Sequence, residues 1–81
     1  MRTTLERFAV TTADGRFWHG TSTQNGTTRR FGSLEDARLF SMREEAEWIA
    51  GNLNAQPSDQ QVGVVRVRIT MEILDGPMIP A

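Results

Sequence analysis

The sequence predicts an α+β domain: an antiparallel sheet of three to four strands with two helices packed on one face, in the order β-β-β-α-α-β. Three observations predict it. Asp14-Gly15 stands between two β-prone runs, the dipeptide that a tight hairpin turn favours because its central residues need positive φ. Ser33 and Ser41 are each followed three residues later by an acid, Asp36 and Glu44, the spacing of a serine cap with a carboxylate near the positive helix end. From Val65 to Leu74 apolar and polar residues alternate, as in a strand with one covered face.

The first strand is expected near residues 5 to 12. A two-residue turn at Asp14-Gly15 sets Thr12 opposite Phe17, Thr11 opposite Trp18 and Val10 opposite His19. On that pairing Phe8, Val10, Phe17 and His19 share the core face, while Arg7, Ala9, Thr11, Arg16 and Trp18 share the other. The polar stretch Thr21 to Thr28, with Asn25-Gly26 at its middle, reads as the tip of a second hairpin returning through Arg29, Arg30 and Phe31. Leu34, Ala37 and Phe40 mark a short first helix; Met42, Ala46, Ile49 and Ala50 repeat at helical spacing for a second, and Gly51 is placed as its stop. Residues 52 to 61 read as a loop. Val65, Val67, Ile69, Met71 and Ile73 form the apolar side of the last strand, and residues 75 to 81, with two prolines, an irregular tail.

An 81-residue chain has room for one domain, 1–81, and one small core. It contains no cysteine, so no disulfide, thiolate chemistry or cysteine zinc site contributes. The opening MRTTLERFAV has no apolar run of signal-peptide length and no window approaches a membrane span, which predicts a cytoplasmic protein. All nine basic residues are arginine, as the codons of a GC-rich bacterial genome favour, and arginine's planar fork suits bidentate contacts. The net charge of −1 argues against bulk nucleic-acid binding.

Catalytic chemistry finds little to build on. His19 is the only histidine, and on the pairing above it lies on the apolar face as a packed residue. Glu44, Glu45 and Glu47 fan around a helix instead of converging on a metal. No serine stands in a nucleophile elbow and no glycine-rich phosphate loop occurs. The expectation is a non-enzyme without catalytic residues, metal or cofactor. Two surfaces remain. Glu35, Asp36, Glu44, Glu45 and Glu47 make an acidic helix face suited to a basic partner. Arg16, Trp18, Arg66 and Arg68 make an open sheet face on which bases could stack between arginines.

The segment from Arg16 to Ala50 resembles many small open reading frames of phages and prophages. The shared elements are Asp14-Gly15 with Phe17 and Trp18, Ala37 to Phe40, Ser41 with Glu44, Glu45 and Ala46, and the valine-rich strand from Val62 to Ile73. Among such small α/β accessory proteins are anti-CRISPR proteins, so the resemblance implies a binder of a host protein, such as a CRISPR-Cas effector subunit, that blocks nucleic-acid recognition. A small nucleic-acid-binding module using the arginine and tryptophan face is the second reading. A phage structural or assembly protein whose last strand pairs with another copy is the third. The expected state is a monomer or weak homodimer, away from membranes.

Overall fold

The richest run of alternating β-branched residues forms the longest strands. In the computed structural model, which describes residues 2–58 and 60–76, β1 (Arg2–Thr12) and β6 (Val62–Glu72) pair antiparallel over their full length, from Arg2 opposite Glu72 to Thr12 opposite Val62. Between them come β2 (Phe17–Trp18), β3 (Ser22–Thr23), β4 (Gly26–Thr27), β5 (Phe31–Gly32), a 3₁₀ turn at Leu34–Asp36 and one α-helix, α1 (Arg43–Ala55). Strands β5-β2-β1-β6 form a four-stranded antiparallel sheet, and β3-β4 a second, two-stranded one. The α+β class with an antiparallel sheet is as expected; the second helix is not formed. Its Leu34-Ala37-Phe40 segment makes only a 3₁₀ turn, after which Phe40 bridges to Phe8 as a strand residue through two backbone hydrogen bonds of 2.8 Å.

The first turn has three loop residues, not two. The Thr12 N–H donates to the Arg16 carbonyl and the Gly15 N–H to the Thr12 carbonyl, with Gly15 at φ 86°: a type I turn followed by a left-handed glycine. Thr11 therefore faces Phe17, one residue off the expected pairing, and a slip of one exchanges the faces of the strand. Trp18 moves from the open face into the core, 1% exposed, and His19 leaves the core face to lie half-buried beside Gly32. The second hairpin forms with Ser22 opposite Thr27. Its loop residues are Gln24 and Asn25, and Gly26 takes φ 126°.

Neither expected serine cap forms. Residue Met42 stands at the α1 N-cap, and the Ser33 hydroxyl bonds the Asp36 carboxylate at 3.2 Å instead of a backbone N–H. Gly51 does not stop the helix, which runs through Asn52, Leu53, Asn54 and Ala55 into the segment expected to be a loop. Pro57 follows one residue past the cap at Gln56, where the residue before proline is pushed to extended backbone. The extra turn has a packing cause. Leu53 is fully buried and continues the Ala46-Ile49-Ala50 stripe against Val10, Trp18 and Val62, with Phe8, Phe31, Phe40 and Val64 at the margin. Burying such an aliphatic side chain contributes about 1.5–3 kcal/mol. The turn is tied down from outside the helix. Arg29 donates to the Leu53 carbonyl at 2.9 Å, placing a cation at the negative helix end, and Gln56 donates to the Thr27 carbonyl at 2.7 Å.

Helix α1 covers the face of the sheet carrying Val10, Val62 and Val64, so the all-apolar side of β6 is the side away from it. Val65, Val67 and Ile69 are half-buried there, while Met71 and Ile73 are 50% and 67% exposed. The expected one-sided helical layer is present, but it rests on the even-numbered side chains near the start of β6. Beyond Phe8 and Arg66 the β1-β6 pair continues alone as a two-stranded ribbon, giving the chain dimensions of 57 × 24 × 21 Å. After Glu72 the chain to Gly76 has no regular structure; the rest of the expected irregular tail, 77–81, lies outside the described residues.

Candidate functional site

Where α1 crosses the sheet, a cleft of about 500 Å³ opens beside its first two turns. Trp18, Phe40 and Ile49 line it from the core side, Ser22 and Arg38 from the loops, and Glu44, Glu45 and Trp48 from the helix. The cleft wall is held by backbone geometry. The Trp18 indole N–H donates to the Thr28 carbonyl at 2.6 Å, and its ring lies nearly parallel to Phe40, centroids 6.2 Å apart and planes 15° apart. The Arg38 N–H donates to the Trp18 carbonyl at 2.9 Å, and the Arg38 guanidinium to the Gly20 carbonyl at 3.1 Å. Residue 20 has no room for a side chain: a Cβ there would stand 2.9 Å from both the Thr28 carbonyl oxygen and the Trp18 indole nitrogen.

Trp48 is the residue that gives the cleft chemical character. It is 61% exposed, four residues from Glu44 and three from Glu45, so all three project over the same patch of helix surface. Neither glutamate takes part in an ion pair among the described residues. The ring quadrupole of Trp48 and the carboxylates of Glu44 and Glu45 attract positive charge over an apolar floor, while the Arg38 guanidinium, which also lines the cleft, is turned to the Gly20 carbonyl.

Of the five acids expected on the helical surface, the structure brings Glu44 and Glu45 into the cleft. Glu47 lies outside its lining and pairs with Arg43 at 3.6 Å. Residues Glu35 and Asp36 sit on the exposed 3₁₀ turn and do not line the cleft. The sheet-face set does not form one platform. Trp18 is buried, which denies a nucleobase its ring. Arg16 is engaged by Asp14 at 3.2 Å and Gln60 at 2.9 Å, and lies 5.8 Å from the Phe31 ring, which Arg29 approaches at 5.5 Å. Arg66 and Arg68 lie exposed on the ribbon, Arg66 pairing with Glu6 at 3.8 Å.

The residues that the acidic-face reading missed are Trp48, Phe40 and Arg38. Trp48 was discoverable, because a tryptophan off the Met42-Ala46-Ile49-Ala50 stripe has no core to enter. Phe40 and Arg38 owe their places to the bridge with Phe8, a long-range pairing that no local spacing signals. Among the described residues no group of three His, Asp or Glu side chains is placed to hold a metal ion, and no helix is long and apolar enough to cross a membrane. The chain matches no family model, no curated protein and no solved structure.

Proposed function

We propose that this chain is a non-catalytic protein binder, and that the Trp48 cleft takes an arginine or lysine side chain from the surface of its partner. The observation that carries the reading is the exposed Trp48 ring flanked by the unpaired carboxylates of Glu44 and Glu45. Exposed tryptophan is rare on a surface with no partner and is among the residues that dominate interface energies. A protein groove that binds nucleic acid is rich in arginine and lysine, so a small rigid domain presenting this cleft suits occlusion of such a groove. The most concrete version is a phage or mobile-element inhibitor of a host protein, an anti-CRISPR protein that blocks nucleic-acid recognition by a CRISPR-Cas effector. Its action would be steric, with the acids steering association in a salt-dependent manner.

The test is an affinity capture of the tagged protein from lysate of a GC-rich bacterium with active CRISPR systems, with and without nuclease, followed by titration of the captured subunit. Wild type and Glu47→Arg should retain one protein subunit after nuclease. Trp48→Ala and the pair Glu44→Arg with Glu45→Arg should keep the native circular dichroism and lose the subunit, Trp48→Ala by about 2 kcal/mol or more, the scale of an interface hot spot. Capture of nucleic acid alone, abolished by nuclease, overturns the reading in favour of a nucleic-acid-binding module. So does a subunit retained by all the variants.

A further inference from the structure

The ribbon of β1 and β6 has an open edge along β6, and its backbone parity is fixed by what lies on either side. Phe8 directs both its N–H and its carbonyl to Phe40, away from β6, and Thr12 directs its own to the first turn. The pairs Phe8–Arg66 and Thr12–Val62 are therefore the non-hydrogen-bonded pairs of the ladder, and the even-numbered residues of β6 aim their backbone groups outward. At Val62 those groups are met by Asn54, which accepts from the Val62 N–H at 2.8 Å and donates to its carbonyl at 3.0 Å. From Val64 to Glu72 no described strand meets them. The segment has no proline and no described bulge, two of the devices that blunt an edge; its charges, Arg66, Arg68 and Glu72, restrict which partner and register it accepts.

We propose that this edge pairs antiparallel with β6 of a second copy of the chain, centred on Ile69. The charges select the register. Centring on Val67 sets Arg66 opposite Arg68 of the other copy, and centring on Arg68 sets that residue against itself, both like-charge pairs that destabilise a sheet. Centring on Ile69 sets Arg66 opposite Glu72 twice, by symmetry, and Arg68 opposite Thr70. Each of these residues points its backbone outward, so about eight N–H···O=C bonds close in register. Centring on Thr70 also opposes Arg68 to Glu72 but overlaps fewer residues of the strand. On the helix-free face the same register stacks Ile69 on Ile69, Val67 on Met71 and Val65 on Ile73, joining two apolar strips that are half-buried to exposed in one chain. The shape of one chain fits this. Its radius of gyration is 16.0 Å, where a compact domain of this length has about 12 Å, and a two-stranded ribbon alone is marginal in water.

The test is sedimentation equilibrium of the full chain with two single charge reversals, Arg66→Glu and Glu72→Arg. The wild type should show a concentration-dependent species of twice 9.1 kDa. Each reversal alone sets like charges opposite each other at both symmetric positions and should weaken dimerisation on the order of tenfold. The two variants mixed in equal amounts restore both opposite-charge pairs and should recover the dimer. That recovery is a result that misfolding or loss of the pairs within one chain, Arg2–Glu72 and Arg66–Glu6, would not give. A monomer at all concentrations overturns the proposal, as does a dimer indifferent to either reversal or reversals that fail to complement.

Discussion

Trp18 and Trp48 are the same residue type with opposite fates, and the backbone around each decides which is which. Trp18 is carried inward by the left-handed Gly15 one turn away, and its indole N–H is satisfied by Thr28. Trp48 is carried outward by the helix period. The hairpin that places Trp18 also holds a titrating group with a displaced pKa. The Thr12 hydroxyl donates to the Asp14 carboxylate and the Arg16 guanidinium lies beside it, so Asp14 is held below its ordinary value near 3.8. A depressed carboxylate stabilises the fold above the unfolded-state pKa, and the contribution disappears as pH falls through the folded-state value. Urea unfolding followed from pH 6 to pH 2 should show a smaller acid loss for Asp14→Asn than for wild type. The difference should be small, because the group is solvent-exposed; equal losses would remove Asp14 from the acid response.

At the scale of elements, the polar tie between α1 and β6, beside the packing of Leu53 and Val62, is one amide. Asn54 bonds both backbone groups of Val62 and so acts as a one-residue neighbouring strand. Asn54→Leu leaves a part-buried N–H and carbonyl unpaired and should lower stability by about 1–3 kcal/mol; a midpoint unchanged in urea would mean that water substitutes for the amide. The NLNAQ segment looked like a loop because its asparagines and the preceding glycine are poor helix formers. What decided otherwise was Leu53, whose burial against the sheet outweighs those propensities, and the outside support from Arg29 and Gln56. The first turn departs from its expected length for a similar reason: Asp-Gly serves both two-residue and three-residue hairpin loops, and Thr12's bonds to Arg16 choose the longer one. The long strands and the existence of the Ser22–Thr27 hairpin were legible because alternation and turn residues act locally. In the cleft, Glu44 and Glu45 were legible from helix spacing, whereas Phe40 and Arg38 depend on a strand bridge to residue 8.

For the whole molecule, stability is concentrated at one end. Val10, Trp18, Leu53 and Val62 are buried where α1 crosses the sheet, while the ribbon from Arg2 to Arg7 and from Val67 to Glu72 holds no buried residue. Backbone amides in the outer ribbon should therefore exchange with solvent orders of magnitude faster than those of the bonded pair Ala9 and Val65 in dilute solution, since opening there exposes little of the core. Hydrogen exchange measured at rising protein concentration should protect the outer ribbon alone; uniform protection along β1 at every concentration would show instead that the ribbon is secured within one chain. The pairing of Arg2 with Glu72 also bears on how the chain is made. A ribosome adding roughly 5–20 residues per second makes β1 well before its partner β6, with the hairpins and α1 in between. For several seconds β1 is without its mate, and pairing the two closes the longest loop in the sheet, so refolding should be slow for so small a chain.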